Sequence, residues 1–246
     1  MSSITNFELT NKDIKTLKEK KINPYKNIDY SKLVVRKPWG YEYLIYQSKD
    51  VAVWILYIKK NQLTSMHAHP QKKTALIVLD GEVICRSFYK TFKKKTGDAV
   101  IIDRKVFHQT SNNSNKDSII MEIETPNNKG DLVRLVDRYG RANQGYEKAD
   151  KFDVNLSNYN YMTLKSRDVL YNFTKKYGNT SIIFKRIHNK NELQKIIENN
   201  QKSLISILDG KIELDKKEYN ICDTFSVNNV SEILLKSKSC LILISN

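Results

Sequence analysis

The chain has 246 residues, a formal net charge of +15 at pH 7, 40% hydrophobic residues and 10% aromatic residues. This length permits one large domain or two modest ones with a buried core, and the composition excludes a wholly disordered chain. The positive charge comes mostly from scattered lysines without interleaved arginine and aromatic residues, so we expect no nucleic-acid partner and favour a phosphorylated small molecule.

A short helix is predicted near the N-terminus, from about residue 11 to residue 21, with Thr10 as its cap. From Leu33 onward, short runs rich in β-branched and aromatic residues alternate with turn signals such as Asp80-Gly81. This pattern is typical of an all-β sandwich or barrel. The runs are LVV, YEYLIY, VAVWILYI, TALIVL, EVICRSFY, DAVIID and SIIMEIE.

The two halves of the chain share a pattern. TALIVLDGEV at 74–83 aligns with SLISILDGKI at 203–212, and GDAVII at 97–102 aligns with CDTFSV at 222–227. A long apolar run follows each pair. We interpret the match as an internal repeat of a β unit, with two unrelated hairpins that share an Asp-Gly turn as the alternative.

The cysteines lie far apart in apolar runs and show no CxxC spacing, so Cys85, Cys222 and Cys240 are predicted to be buried free thiols in a reducing compartment. The N-terminus has no apolar core typical of a secretion signal, and no segment approaches a membrane span. We therefore expect a cytoplasmic protein with no membrane partner.

Three of the four histidines fall at structural landmarks. His67 and His69 stand one residue apart before an apolar strand, and His108 follows the strand that begins after Gly97. Residues i and i+2 of a strand face the same side, so two imidazoles can face one ion and a third can complete the set. We predict one divalent metal ion, zinc first, with iron, manganese or nickel as alternatives; hydrogen-bonded core histidines are the competing interpretation.

These spacings resemble the two motifs of the cupin family. In the first motif, the HxH pair is followed by Thr74 at the usual acidic ligand position and then by Gly81. In the second motif, His108 follows Gly97 by eleven residues. The missing carboxylate would leave the metal more positive than usual, which favours anionic ligands.

Two further segments narrow the resemblance. RKPWGYEYL (36–44) and IIMEIETPNNKGDLVRLVDRYGR (119–141) are similar to the opening and the close of the cupin domain in type II mannose-6-phosphate isomerases. The likeness covers approximately residues 34–146. It implies a bicupin-like double-stranded β-helix, or jelly roll, whose second copy is degenerate because it lacks histidines at both landmarks.

The resemblance also implies a domain plan. We expect an N-terminal helical extension over residues 1–30, a metal-binding cupin domain over 31–148 and a degenerate cupin-like domain over 149–246, with a linker near 143–155. The segment at 189–201 reads as a helix or a long loop. The second domain is expected to cover the first sheet's edge or to form a ligand lid, and cupins often pair through sheet edges, which suggests a homodimer.

Three functions follow as hypotheses. The resemblance to mannose-6-phosphate isomerases implies a metal-dependent isomerase or epimerase that acts on a phosphorylated or nucleotide-linked sugar in polysaccharide biosynthesis. A three-histidine site without a carboxylate also suits a non-haem iron dioxygenase. A cupin that has kept its metal and lost its base would be a non-catalytic sugar-binding protein.

Isomerisation of a sugar phosphate needs a base that moves a proton between adjacent carbons. Glu122 and Glu124, two apart on one strand face, are the predicted catalytic bases, with a solvated strand edge as the alternative. Lys73, beside the missing carboxylate, is predicted to point at the metal's ligand, where it would bind a phosphate or carboxylate and assist catalysis, with a surface lysine as the alternative.

Cations and aromatic rings near the two similar segments are the predicted substrate-binding groups. Arg134 and Arg138 are expected on one face of a helical turn. We assign phosphate binding to Arg134 and Arg141, which can grip it bidentately, and a structural role to Arg138. The alternative is that these arginines pair with Asp131 and Asp137 and lock the segment against the barrel. Trp39 and Tyr41 are predicted to stack on a sugar face, with simple packing as the alternative.

Overall fold

A computed structural model gives the fold and describes residues 3–20, 28–142, 144–161, 173–178, 180–201, 203–226 and 232–245. Within these ranges the helices α1 and α2 are Asn11–Lys18 and Lys190–Asn199. The strands, β1 to β22, are Ile4–Phe7, Val34–Lys37, Gly40–Gln47, Ala52–Ile58, Gln62–Leu63, Met66–Ala68, Lys73–Asp80, Glu82–Arg86, Thr91–Lys95, Ala99–Ile102, Gln109–Asn112, Ser118–Thr125, Val133–Val136, Phe152–Asp153, Thr174–Tyr177, Thr180–Ile187, Leu204–Asp209, Ile212–Leu214, Lys217–Tyr219, Thr224–Ser226, Ile233–Leu235 and Cys240–Ser245.

The predicted N-terminal helix is present and shorter than expected. Thr10 caps it through a reciprocal pair of hydrogen bonds: its side chain accepts from the N–H of Asp13 at 3.3 Å, and the Asp13 carboxylate accepts from the N–H of Thr10 at 3.0 Å. The helix ends at Lys18 instead of residue 21. The sequence also predicts that Pro24 stops the chain soon after this helix, and Pro24 lies outside the described residues.

The N-terminal half is a two-sheet β sandwich. Its large sheet has the strand order β1-β10-β7-β12-β4-β3-β2-β14, and a smaller sheet, β5-β11-β8-β9, faces it. Apolar side chains from both sheets, such as Trp54, Leu76 and Val83, fill the space between them. The predicted all-β jelly roll is therefore confirmed.

Strand alternation divides the large sheet into an inner and an outer face. In β4, Trp54 and Leu56 belong to the core between the two N-terminal sheets, whereas Val53 and Ile55 belong to a second core on the other side. Gly40 has φ +145°, and a Cβ there would lie 1.9 Å from the carbonyl oxygen of Tyr57. Glycine is therefore required where β3 begins close against β4.

The C-terminal half packs on the outer face of the large sheet. Its own sheets have the orders β15-β16-β22-β17-β20 and β19-β18-β21. Buried residues of both halves form one core there, including Ile55 and Ile77 from one side and Phe184, Leu208 and Leu243 from the other. The expectation that the second half covers a sheet edge is wrong, because it covers a sheet face.

The internal repeat is visible in the strand pairing. β7 lies between β10 and β12, and the matched strand β17 lies between β20 and β22. At the second landmark, Gly97 donates its N–H to Val78 and Cys222 donates its N–H to Ile207, at 2.9 and 2.8 Å. Gly97 and Cys222 both have positive φ, 88° and 70°. Each half therefore contains a copy of the same β unit.

The structure also shows what the segment at 189–201 and the predicted linker at 143–155 form. The segment at 189–201 is a helix, α2, which Asn189 caps by accepting from the N–H of Glu192 at 3.0 Å. The predicted linker at 143–155 contains β14, which pairs with β2, so this segment belongs to the N-terminal sheet.

The three cysteines are buried free thiols, as predicted. Across the described ranges, neither helix has the length and apolar character needed to span a membrane.

Candidate metal centre

Backbone pairing holds His67 and His108 side by side. His67 lies in β6, where its N–H donates to the carbonyl of His108 at 3.0 Å and the N–H of His108 donates back at 2.8 Å. Their ring centroids are 4.3 Å apart. The N-terminal helix supports this arrangement, because the Asp13 carboxylate accepts from the N–H of Phe107, the residue before His108, at 2.8 Å.

His69 completes the cluster from the end of β6. Its ring centroid lies 5.0 Å from that of His67 and 5.4 Å from that of His108. One ligand atom from each ring lies within 4.8 Å of the other two. The three imidazoles therefore converge as the spacing predicts, and metal binding itself stays a prediction.

Each imidazole is oriented by a hydrogen bond that Nδ1–H donates to a backbone carbonyl. The pairs are His67 with Ser65 at 2.8 Å, His69 with Asp131 at 2.6 Å and His108 with Val106 at 3.0 Å. Nε2 is then the unprotonated nitrogen, as in metal-ligating histidines whose other nitrogen is fixed by a backbone partner. The Nε2 atom of His69 is buried and has no partner among the described residues.

Burial lowers the pKa of all three imidazoles. The pKa of His108 falls to about 4, and those of His67 and His69 lie well below the ordinary value, with nearby positive groups adding to the effect. The rings are therefore neutral near pH 7, which is the form that binds metal ions.

This donor set fits a divalent cation. Three neutral nitrogen ligands that leave other coordination positions free match the ligand count of an open metal site. Thr74, at the acidic position of the cupin motif, is fully buried and supplies no carboxylate. Three imidazoles suit zinc, iron and nickel alike.

A cavity opens beside the histidines and has a volume of about 470 Å³, including its mouth. Its wall is strongly charged and carries two aromatic rings, Trp39 and Tyr146. His67 and His69 line it, together with the charged residues Lys37, Lys72, Lys129, Arg134, Arg141, Glu42 and Glu122.

Lys129 links two of the carboxylates. Its Nζ lies 3.2 Å from Glu42, 3.3 Å from Glu122 and 3.9 Å from the centre of the Trp54 ring. Burial raises the pKa of Glu122, although Lys129 opposes the rise. Burial would also raise the pKa of Glu42, but the ammonium groups of Lys129 and Lys37 lower it to about 2. The cavity therefore holds one ionised carboxylate and one that protonates more readily than usual.

The two predicted phosphate-binding arginines make ion pairs with Glu147. Arg134 donates from Nη2 at 3.0 Å and Arg141 from Nη1 at 2.6 Å, and Arg141 also pairs with Asp137 at 2.5 Å. Arg134 lies in β13 opposite His67, so the expected helical turn is wrong. Arg138 is exposed and its Nη1 lies 3.5 Å from the carbonyl oxygen of Asn61, and it makes no ion pair with the described residues.

Comparison with known proteins now identifies this part of the chain. Residues 54–124 match the family model of the cupin domain. This segment is similar to the cupin domain. The match covers less than half of the chain, and it includes His67, His69 and His108. Among curated proteins, none matches the chain.

Solved structures give remote likenesses. An uncharacterised protein with a double-stranded β-helix domain from Klebsiella pneumoniae subsp. pneumoniae MGH 78578 is 19% identical over 39% of this chain and 84% of that chain, with a TM-score of 0.36. KdgF from Halomonas sp. is 13% identical over 37% and 83%, with a TM-score of 0.35. A sugar phosphate isomerase of the cupin superfamily from Silicibacter pomeroyi DSS-3 is 14% identical over 31% and 50%, with a TM-score of 0.30.

Four of the predicted catalytic and substrate-binding residues line the cavity beside the histidines: Trp39, Glu122, Arg134 and Arg141. Glu124 is fully buried beside it and accepts from Trp54 Nε1 at 3.1 Å and from Lys72 at 2.5 Å. The solvated-edge alternative is therefore wrong for both glutamates.

Lys73 and Tyr41 lie elsewhere. Lys73 Nζ pairs with Asp223 of the C-terminal half at 2.5 Å. Tyr41 stacks on Tyr57 and meets Tyr159 edge to face, with ring centroids 4.4 and 4.8 Å away, against the outer core. Both expectations placed these side chains at the ligand, and strand alternation turns them to the opposite face.

Sequence reasoning missed several charged residues of the cavity. Lys72 stands two residues before Thr74, and residues two apart in an extended chain face the same side. An inward-facing Thr74 therefore indicates an inward-facing Lys72. Glu42 interrupts the apolar side of the YEYLIY run, which is the signal that a charged group faces the core. The missed residues are Lys37, Glu42, Lys72, Lys129, Tyr146 and Glu147.

Proposed function

We propose that this protein is a metal-dependent cupin enzyme that isomerises or epimerises a phosphorylated or nucleotide-linked sugar for polysaccharide biosynthesis. The observation that carries the proposal is a buried carboxyl, Glu122, whose pKa is raised by burial and which lines the same cavity as His67 and His69. Perturbed carboxyls inside a concave site are candidates for general bases and acids.

His67, His69 and His108 would hold the ion, which supplies a Lewis acid that polarises the carbonyl of the substrate. Glu122 would take the proton from the carbon beside that carbonyl and return it to the neighbouring carbon. Lys129, 3.3 Å from Glu122, keeps this carboxylate in place while Glu42 balances the charge of the lysine. Trp39, which is buried at the cavity wall, would pack against the sugar ring.

The charge of the site supports an anionic substrate. Three neutral imidazoles leave a divalent ion's charge uncompensated, and Thr74 adds no carboxylate.

The test is solvent deuterium exchange. The zinc-loaded protein is incubated with hexose and heptose phosphates in heavy water, and the carbon beside the carbonyl is expected to gain deuterium. Glu122→Gln should lower this rate by about 10²-fold or more, the usual contribution of a general base, with metal content unchanged. Glu8→Gln, at an exposed position, is the control and should match the wild type. Protection of the fold by these sugars without exchange would contradict the enzyme proposal and favour a sugar-binding protein.

One observation favours a second function, a non-haem iron dioxygenase. The metal-ligand cluster that the described residues form consists of three histidines and no carboxylate. Such a neutral facial set also suits iron(II) and oxygen. Iron in protein purified without a tag, together with oxygen uptake that depends on the sugar, would support this function over the isomerase.

A further inference from the structure

Lys72 enters the cavity from the loop between His69 and β7, where it contacts Asp131, the residue that orients His69. The backbone N–H of Lys72 donates to the Asp131 carboxylate at 2.9 Å, and the backbone carbonyl of Asp131 accepts from His69 Nδ1 at 2.6 Å. The side chain of Lys72 is 1% exposed and lines the same cavity as His67 and His69. A buried cation therefore stands beside the three histidines, in the part of the motif where cupins usually carry a carboxylate.

The ammonium group of Lys72 has donors to spare. It carries three N–H bonds, and within the described part of the chain its acceptor is one carboxylate oxygen, Oε2 of Glu124, at 2.5 Å. Buried donors without acceptors are costly, so the remaining N–H bonds call for a ligand or water in the cavity.

The other cations of the cavity wall have more partners. Lys37 pairs with Glu42 and Glu147, and Lys129 with Glu42 and Glu122. Both arginines donate to Glu147, as described above. Of these three lysines, Lys72 has the fewest carboxylate partners among the described residues, and its charge acts on all three histidines.

An unused acceptor lies close by. His69 Nε2 is buried and unpartnered among the described residues, and it is the nitrogen that would bind the ion. We infer that Lys72 holds an oxyanion of the ligand at the metal centre, a phosphate or carboxylate group with one oxygen for the ion and one for the ammonium. The inference rests on the proposed function and gives its substrate an anionic group at the reacting end.

A thermodynamic coupling follows. Lys72 carries the same sign of charge as the ion, so it weakens metal binding when the cavity holds no anion. A bound oxyanion offsets both charges. Metal and anion therefore strengthen each other's binding, by the same factor in each direction.

The experiment measures zinc affinity by competition with a chelator, without turnover. Wild type, Lys72→Met and Lys73→Met are each titrated alone, with inorganic phosphate and with acetate. In the wild type, at least one anion should tighten zinc binding about fivefold or more. Lys72→Met should bind zinc more tightly without anion and lose the coupling. Lys73→Met, a neighbouring lysine that points away from the cavity, should behave as the wild type.

A second variant guards against misfolding, because Lys72→Met leaves the Glu124 carboxylate buried without its cation. Lys72→Met combined with Glu124→Gln removes both charges and should also lose the coupling. Coupling by phosphate or by acetate shows which oxyanion the site prefers. The inference is overturned if neither anion tightens zinc binding in the wild type, or if either Lys72 variant keeps the coupling.

The outcomes separate this inference from the proposed function. Coupling that depends on Lys72, without any deuterium exchange into sugar phosphates, would support the oxyanion site and remove the isomerase. Exchange without such coupling would support the isomerase and remove the role of Lys72.

Discussion

At the scale of single residues, the Nδ1 hydrogen bonds decide what the histidines can do. Each ring donates to a backbone carbonyl, so the nitrogen left for a metal ion is Nε2 in all three. His188, the fourth histidine, is exposed in the C-terminal half. Strand periodicity predicts that His67 and His69 share a face. The approach of His108 depends on its backbone pairing with His67, which the position of His108 after Gly97 indicated only through the resemblance to the second cupin motif.

The same periodicity explains what sequence reasoning missed at this scale. Lys73 was chosen as the cation at the site because it precedes the missing carboxylate, yet Lys72 shares the inner face with Thr74. Glu42 and Lys129 come from segments far apart in the chain. Their ion pair depends on the fold that brings β3 beside the loop after β12, which local patterns do not encode.

The lowered pKa of Glu42 makes its contribution to stability depend on pH. A carboxyl with a lowered folded pKa stabilises the fold above its unfolded pKa, and the contribution is lost as the pH falls through the folded value. For Glu42 the window runs from 4.5 down to about 2. The shift corresponds to a stabilisation on the order of 3 kcal/mol.

Denaturant unfolding of the wild type and Glu42→Gln at several pH values measures this contribution. The difference in their free energies of unfolding should be largest above pH 4.5 and shrink as the pH approaches 2. A difference that stays constant over this range would contradict the role of Glu42 as an ionised partner of Lys129 and Lys37.

At the scale of elements, the large sheet is buried on both faces, and the sequence carries a sign of this. A strand with one solvated face alternates apolar and polar residues, whereas VAVWILYI and TALIVL are apolar throughout. The repeat predicted that a second β unit exists. The unbroken apolar runs indicate that the second unit packs on a face of the large sheet. The hypothesis that it covers a sheet edge did not use this pattern.

A leucine in the core between the two halves tests this packing. Leu243→Ala in β22 should lower the free energy of unfolding by about 2–5 kcal/mol, because Leu243 is fully buried against the outer face of the large sheet. Leu9→Ala, at a residue 40% exposed, is the matched control and should change stability by less than about 0.5 kcal/mol. Equal effects of the two variants would contradict the shared core.

At the scale of the whole molecule, the protein joins one β unit that carries three clustered histidines to a second β unit without histidines at the matching positions. The C-terminal copy keeps the pairing order of β17, β20 and β22 and has no histidine at either landmark. It also contacts the strand behind the site, β12. Cys222 Sγ lies 3.3 Å from the carbonyl oxygen of Ile123, the residue between Glu122 and Glu124 in the sequence. The second half therefore supports the strand that carries the proposed base.

Metal binding should stabilise the whole protein. An ion that binds the folded chain alone raises the free energy of unfolding by about 2.7 kcal/mol when its concentration is 100 times its dissociation constant. Thermal unfolding with and without zinc should show this gain in the wild type and in His188→Ala. His69→Ala should lose it, and a gain of equal size in His69→Ala would contradict the site.

X-ray absorption at the metal edge of protein purified without a tag tests the central claim most directly. We predict one ion per chain, coordinated by three imidazole nitrogens with oxygen completing the shell. Protein that retains no metal after growth with zinc or iron, or an ion bound by sulfur or by fewer than three imidazoles, would contradict the account.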